Sequence, residues 1–255
     1  MRLQGKTALV TGATGAIGEA ITNKFLEEGA NLVVVGRSRD KLDSLVSRLG
    51  APTNLISVVA EATNEEAVNL SIQAAIEAFD SIDIVIANAG TEGRVQPLEA
   101  YTMEEFNHVL AVNVTGVWLY LKHAIPRMRE KGAGSIVAIS SGAGVVGFGG
   151  LCPYSASKHA VCGMVKTACI ENGAAGIRIN TLAPGPVDNK MMSSVESQIN
   201  PTSPESVRDG VKNLIPMNRY AKNEEIANLA LFLASDEASF CNGGVYLADG
   251  GFTSV

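Results

Sequence analysis

Cysteine, histidine, aromatic residues and charge are all scarce in this chain. The four cysteines among 255 residues are Cys152, Cys162, Cys169 and Cys241, and none forms a C-x-x-C pair. That spacing argues against a disulfide framework or a thiolate zinc site and fits free thiols in a reducing compartment. His108, His123 and His159 show no partner pattern, so no metal site is expected. Charged residues make up only 18% of the chain and the formal net charge is −6, which offers neither nucleic acid nor an anionic membrane surface an electrostatic attraction. Long apolar runs are also missing. The uncharged stretch 132–157 is interrupted by glycine and serine too often for a membrane span and reads as a buried strand followed by a glycine-rich loop. The N-terminus lacks the apolar stretch and cleavage site of a signal peptide, so the expectation is a soluble, cytoplasmic protein.

What is abundant is aliphatic: 46% of the residues are hydrophobic, enough for a large core and too many for disorder. Continuous β-branched runs recur at 8–10, 32–35, 55–59, 84–86, 136–139 and 177–182, with a last short run at 245–247. Runs of this kind suit strands covered on both faces. Helical patterns separate them. Ile17, Ile21 and Phe25 share one face, Thr63–Glu66 and Thr102–Glu105 read as capping boxes opening helices near 64–79 and 103–131, and Gly29, Gly50 and Gly132 stand at expected stops. Further helices are expected near 154–174 and 223–234. The alternation predicts an α/β fold, a doubly wound parallel sheet with helices on both faces, as one domain over 1–255. Pro186, Pro201, Pro204 and Pro216 punctuate 186–216, which reads as a mobile insertion.

Thr11-Gly12-Ala13-Thr14-Gly15-Ala16-Ile17-Gly18 follows the first strand and opens a helix. Gly12 and Gly15 let the turn bend and a pyrophosphate approach the backbone, and Gly18 lets the helix close on the sheet. The second strand ends in Arg37-Ser38 with no acid, which favours the 2′-phosphate of NADP over the ribose of NAD; a solvated surface arginine is the other reading of Arg37. Tyr154 and Lys158 stand at i and i+4 and share a helix face. An ammonium beside a phenol stabilises the phenolate, so the tyrosine can exchange a proton with a carbinol. Ser140 and Ser141 close the preceding strand, and the Ser141 hydroxyl can donate to a substrate oxygen as charge develops.

Together these residues resemble the short-chain dehydrogenase/reductase family in its single-domain branch, over nearly the whole chain. The resemblance rests on Thr11–Gly18, Ala87-Asn88-Ala89-Gly90, Asn113, Ser141, Tyr154-x-x-x-Lys158, Pro184-Gly185 and Asp249-Gly250-Gly251. It implies direct hydride transfer between a nicotinamide dinucleotide and a ketone or secondary alcohol, as in a 3-oxoacyl or small-ketone reductase. Tyr154 is then the general acid/base, Lys158 lowers its pKa and holds the nicotinamide ribose, Ser141 orients the carbonyl and Asn113 anchors a relay water. The implied cofactor contacts are Gly12, Thr14, Gly15, Ile17, Gly18, Arg37, Ser38, Glu61, Ala62, Asn88, Ala89, Gly90, Tyr154, Lys158, Pro184, Gly185, Val187 and Asn189, with NADP preferred and NAD possible. The chain departs from the family at Ala16, Ala87, Glu61 and Asn189.

The Gly12, Gly15, Gly18 spacing also fits the extended branch that modifies nucleotide sugars, although the chain ends soon after Asp249-Gly250-Gly251. A non-catalytic dinucleotide-binding protein is the third reading. Trp118, Met191 and Met192 read as packing residues, the two methionines also as part of a substrate lid. Small residues Ala156, Ala160, Gly163 and Ala168 permit close helix approach, and the resemblance implies a homotetramer or homodimer formed through this helix.

Overall fold

The structure, a computed structural model, describes residues 1–254. Among them lie seven strands, β1 (Thr7–Thr11), β2 (Asn31–Gly36), β3 (Leu55–Val59), β4 (Ile84–Ala87), β5 (Gly134–Ile139), β6 (Ile177–Pro184) and β7 (Val245–Ala248). They form one parallel sheet in the order β3-β2-β1-β4-β5-β6-β7. The chain winds outward from β1 through β2 to β3, returns to β4 on the other side of β1, and winds outward again. That reversal opens a crevice beyond the C-terminal ends of β1 and β4, where doubly wound sheets bind their ligands.

Alternation along each strand divides the interior. Ala8 and Val10, Leu32 and Val34, and Ile84 and Ile86 face one core; Leu9, Val33 and Val85 face the other. The first core is closed by α1 (Ala16–Glu27), α2 (Arg39–Arg48) and α9 (Asn223–Ala234), through residues such as Phe25, Leu42 and Leu231. The second is closed by α3 (Glu65–Phe79), α5 (Gly116–Lys131) and α6 (Cys152–Asn172), through Ile72, Tyr120 and Val165. Both faces of the central strands are therefore dry, which explains their continuous apolar runs.

Three expectations need correcting. The helix expected over 103–131 is α4 (Met103–Leu110) and α5 joined by a π-helical turn, Ala111–Thr115. The cap of α3 is Asn64, whose side chain accepts from the Ala67 N–H; the Thr63–Glu66 box does not form, whereas the Thr102–Glu105 box does. Within 186–216 lie two helices, α7 (Lys190–Ile199) and α8 (Pro204–Leu214). Pro204 occupies the first turn of α8, where its missing N–H costs no hydrogen bond, so here proline marks a helix start.

Candidate active site

The glycine turn is shaped by close approach. Gly12 has φ +60°, and a Cβ on it would stand 2.9 Å from the Ala89 Cα. A Cβ on Gly18 would run into the Gly12 carbonyl and lie 2.8 Å from the Ala13 Cα. Thr11 Oγ1 accepts from the Asn88 and Ala89 N–H groups, both at 2.9 Å, and the Asn88 amide donates to the carbonyls of Thr11 (3.0 Å) and Gly12 (3.2 Å). Asn88 and Ala89 thus stitch the end of β4 to the turn. Gly15, the cap of α1, offers its first turn no side-chain acceptor. Those N–H groups and the positive helix end fit a pyrophosphate.

Arg37 is exposed at the end of β2 and makes no hydrogen bond or ion pair among the described residues, whereas nearby Arg39 is engaged by Ser57 at 3.1 Å and Asp43 at 3.5 Å. Ser38 caps α2 by accepting from the Lys41 N–H, and Thr14 is half-buried in the turn. Glu61 is exposed and Ala62 half-buried beyond β3. Gly12, Thr14, Gly15, Gly18, Arg37, Ser38, Glu61, Ala62 and Ala89 lie outside the lining of the main cavity, which takes up Ile17, Asn88, Gly90, the run Pro184–Val187 and Asn189.

That cavity, about 1210 Å³ with its open mouth, also gathers Ser141, Tyr154 and Lys158. Ser141 follows β5 in extended backbone, and its hydroxyl accepts from the Ala143 N–H at 3.1 Å. Ser140 turns the opposite way and donates to the Lys158 carbonyl at 3.0 Å, a packing role. Pro153 sits in the first turn of α6, so Tyr154 enters the cavity at the start of a rigid helix. One turn later the Lys158 ammonium donates to the Ile139 carbonyl at 2.9 Å and lies 5.5 Å from the Tyr154 ring centroid.

Burial dominates the titration of both groups. Desolvation holds the Tyr154 phenol above its ordinary value, and a hydrogen bond with Ser141 pulls it partly back. Desolvation lowers Lys158 to about 8. The lowering of Tyr154 expected from Lys158 is absent in this geometry, where the ammonium stands over the ring and is turned toward Ile139. Asn113, on the π turn, is fully buried. Its amide accepts from the Thr91 N–H (2.8 Å) and donates to the Thr91 carbonyl (2.9 Å) and Ser157 (3.0 Å). A π turn leaves helical carbonyls without their regular partners, a recurrent feature of functional sites.

The opposite wall comes from the segment 186–216 and the C-terminus. Val187 forms a bridge with Ala221. Asn189 caps α7 by accepting from the Met192 N–H at 3.2 Å. Arg208 on α8 reaches Asp188 at 2.7 Å and Glu196 at 3.9 Å and covers the Tyr220 ring at 4.6 Å, pinning both helices to the body. Asp249 accepts from the N–H groups of Gly251 and Thr253, both at 2.9 Å, and the resulting turn stacks Phe252 on Phe148 with centroids 5.4 Å apart. Glu92, Phe148 and Phe252 line the cavity although no sequence pattern singles them out; only proximity to Gly90, Ser141 and Asp249 in the chain hints at them.

A family model described as enoyl-(acyl carrier protein) reductase matches residues 12–253. The chain is 34% identical over 98% of its length, and 95% of the relative's, to levodione reductase of Leifsonia aquatica. It is 36% identical over 98% of its length, and 99% of the relative's, to the 3-oxoacyl-(acyl-carrier-protein) reductase FabG of Thermotoga maritima. To cis-4-hydroxycyclohexanecarboxylate dehydrogenase of Sinomonas cyclohexanicum it is 35% identical over 98% of this chain and 97% of that one. The crystal structure of levodione reductase superimposes with a TM-score of 0.96 at 33% identity, covering 100% of each chain.

Proposed function

We propose, from the premise that the chain belongs to the short-chain dehydrogenase/reductase family, that Ser141, Tyr154 and Lys158 carry out its chemistry. The protein is an NAD(P)-dependent oxidoreductase acting on C=O and CH–OH groups. The observation that carries the assignment of residues is their convergence on one cavity beside the glycine turn. When bound, the nicotinamide dinucleotide supplies or accepts the hydride. Tyr154 gives its phenolic proton to the carbonyl oxygen in reduction and takes one from the hydroxyl in oxidation. Ser141 donates to the same oxygen and holds it beside the phenol. Lys158 holds the nicotinamide ribose and, when that cation stands near the hydroxyl, offsets the burial that raises Tyr154. Asn113 positions the relay that returns protons to Lys158 from solvent.

NADP is the proposed cofactor, because Arg37 is exposed and unengaged at the end of β2. Gly12, Gly15 and Gly18 seat the pyrophosphate, and 186–216 serves as the substrate lid of a single domain. A homotetramer or homodimer is proposed through α5 and α6, whose outer faces carry Trp118 at 45% and Ile170 at 84% exposure. A cytoplasmic site is consistent with the finding that no helix among the described residues is long and apolar enough to cross a membrane. The deciding experiment replaces Tyr154 with Phe and follows NADPH oxidation against a ketone panel. General acid/base catalysis is worth roughly 10²–10⁴-fold, so turnover should fall by that much; unchanged turnover discards the assignment.

A further inference from the structure

The residues that line the cavity around Tyr154 are mostly apolar: Phe148, Leu151, Met191, Val195, Ile199 and Phe252 close the side facing the lid. Two of the lining residues are charged, Glu92 and Lys158. Lys158 is 4% exposed, and its ammonium is held by the Ile139 carbonyl. Glu92 is different. It makes no hydrogen bond or ion pair among the described residues, and nearby Arg94 is drawn away to Glu105 at 3.4 Å. No arginine or histidine lines the cavity.

Resting on the reading of this cavity as the carbonyl site, we infer that Glu92 determines specificity: the pocket takes an uncharged, largely apolar ketone or secondary alcohol, favours a second hydroxyl donor on it, and rejects carboxylates. A carboxylate entering here loses its hydration and finds no free cation. It also meets the like charge of Glu92 in surroundings of low polarity. A hydroxyl on the same substrate position has an acceptor waiting, and a hydrogen bond to a charged acceptor is stronger than one between neutral groups. Burial is the main cause of the raised titration of Tyr154, and the Glu92 carboxylate adds a smaller push in the same direction. One relative is named for a hydroxycyclohexanecarboxylate, whereas here the one cation of the lining, Lys158, is held by the Ile139 carbonyl.

The test compares wild type, E92Q and E92K on three substrates built on one ring: cyclohexanone, 4-hydroxycyclohexanone and 4-oxocyclohexanecarboxylate, with NADPH and NADH. In the wild type, kcat/KM for the carboxylate should lie at least about 100-fold below that for cyclohexanone, and the hydroxyketone above it. E92Q should narrow the carboxylate gap about tenfold, and E92K should narrow it further or invert it. Equal use of the carboxylate and cyclohexanone by the wild type overturns the inference, as does a ratio that neither variant changes. If the wild type reduces no member of the panel, the reading of the cavity fails and the inference falls with it. A charge-independent steric pocket would separate the substrates equally in all three proteins, which also counts against Glu92.

Discussion

The two walls of the cavity are made by different means. The wall at the ends of β1 and β4 is Ile17, Asn88 and Gly90 backed by backbone: a glycine turn, the unpaired N–H groups of α1 and the stitches from Thr11 to Asn88 and Ala89. The facing wall is side chain: methionines and aliphatic residues on α7 and α8, and a C-terminal turn that carries Phe252. A backbone wall recognises a feature common to many ligands and tolerates almost no substitution at its glycines. A side-chain wall can change one residue at a time while the scaffold stays fixed, which is how one fold serves many substrates.

The sharpest way to break this comparison is at Gly18. Gly18→Val puts a branched side chain against the Gly12 carbonyl and the Ala13 backbone, neither of which can rotate away. Nucleotide affinity, read by fluorescence titration, should fall by more than about 100-fold, and overpacking should cost about 1–3 kcal/mol in denaturant unfolding. A variant that binds normally shows that the turn is not the cradle. Arg37→Asp should act at the edge of the same wall. Losing a charge-assisted contact worth about 1.5–3 kcal/mol should lower NADPH use relative to NADH by roughly 10–100-fold. An unchanged ratio of kcat/KM values removes Arg37 from the phosphate contact.

The lid wall should respond differently. Arg208→Ala leaves Glu196, 4% exposed, without its cation and frees α8 from Asp188 and Tyr220. Glu196 Oε1 already lacks a hydrogen-bond donor, and losing the nearby cation makes burial of its charge costlier, so the midpoint of unfolding should drop. The KM for ketone should rise about tenfold while nucleotide affinity stays within about twofold. Loss of nucleotide affinity on the same scale shows that the walls are not separable.

The two walls were also unequally legible. The glycine turn, Tyr154, Lys158 and the end of β4 stand in short local patterns with a physical reason for each residue, so the amino-acid order alone points to them. Helix α9 is legible over its full length, Asn223–Ala234, because its apolar spacing is regular. The lid is not. Its helices are entered through Asn189 and Pro204, residues that read as loop when the positions they cap are unknown. The pocket residues Glu92, Phe148 and Phe252 come from three separate turns, and Phe252 reaches the pocket because Asp249 folds the C-terminus back. The π turn escaped for a similar reason, since Asn113 is held by Thr91 and Ser157 from two other parts of the chain. Even where Tyr154 and Lys158 are placed in the sequence, the direction of their titration depends on how deeply the fold buries them.

Lys158 stands at the seam between the walls, and its replacement should change substrate and nucleotide selectivity least while its effect on stability is the most sensitive to pH. Its folded pKa is lowered to about 8 from an ordinary value of 10.5, because burial disfavours the ammonium. The unfolded chain therefore binds the proton more readily, and stability rises with pH between those two values. Below about 8 the full cost of burying the cation is present; above 10.5 it is gone. Lys158→Met removes that cost at every pH but also leaves the Ile139 carbonyl without its donor, a loss that does not titrate. The difference in Tm between variant and wild type, measured without nucleotide, should thus favour the variant most at pH 7 and shrink as pH climbs through the window. The fall from 10.5 to about 8 is worth about 3 kcal/mol, and with 1 kcal/mol worth about 2–4 °C in a chain of this size the change should amount to roughly ten degrees. A difference that is flat from pH 7 to 10.5, or that grows, means the ammonium is solvated in the folded protein and that the seam is open to water.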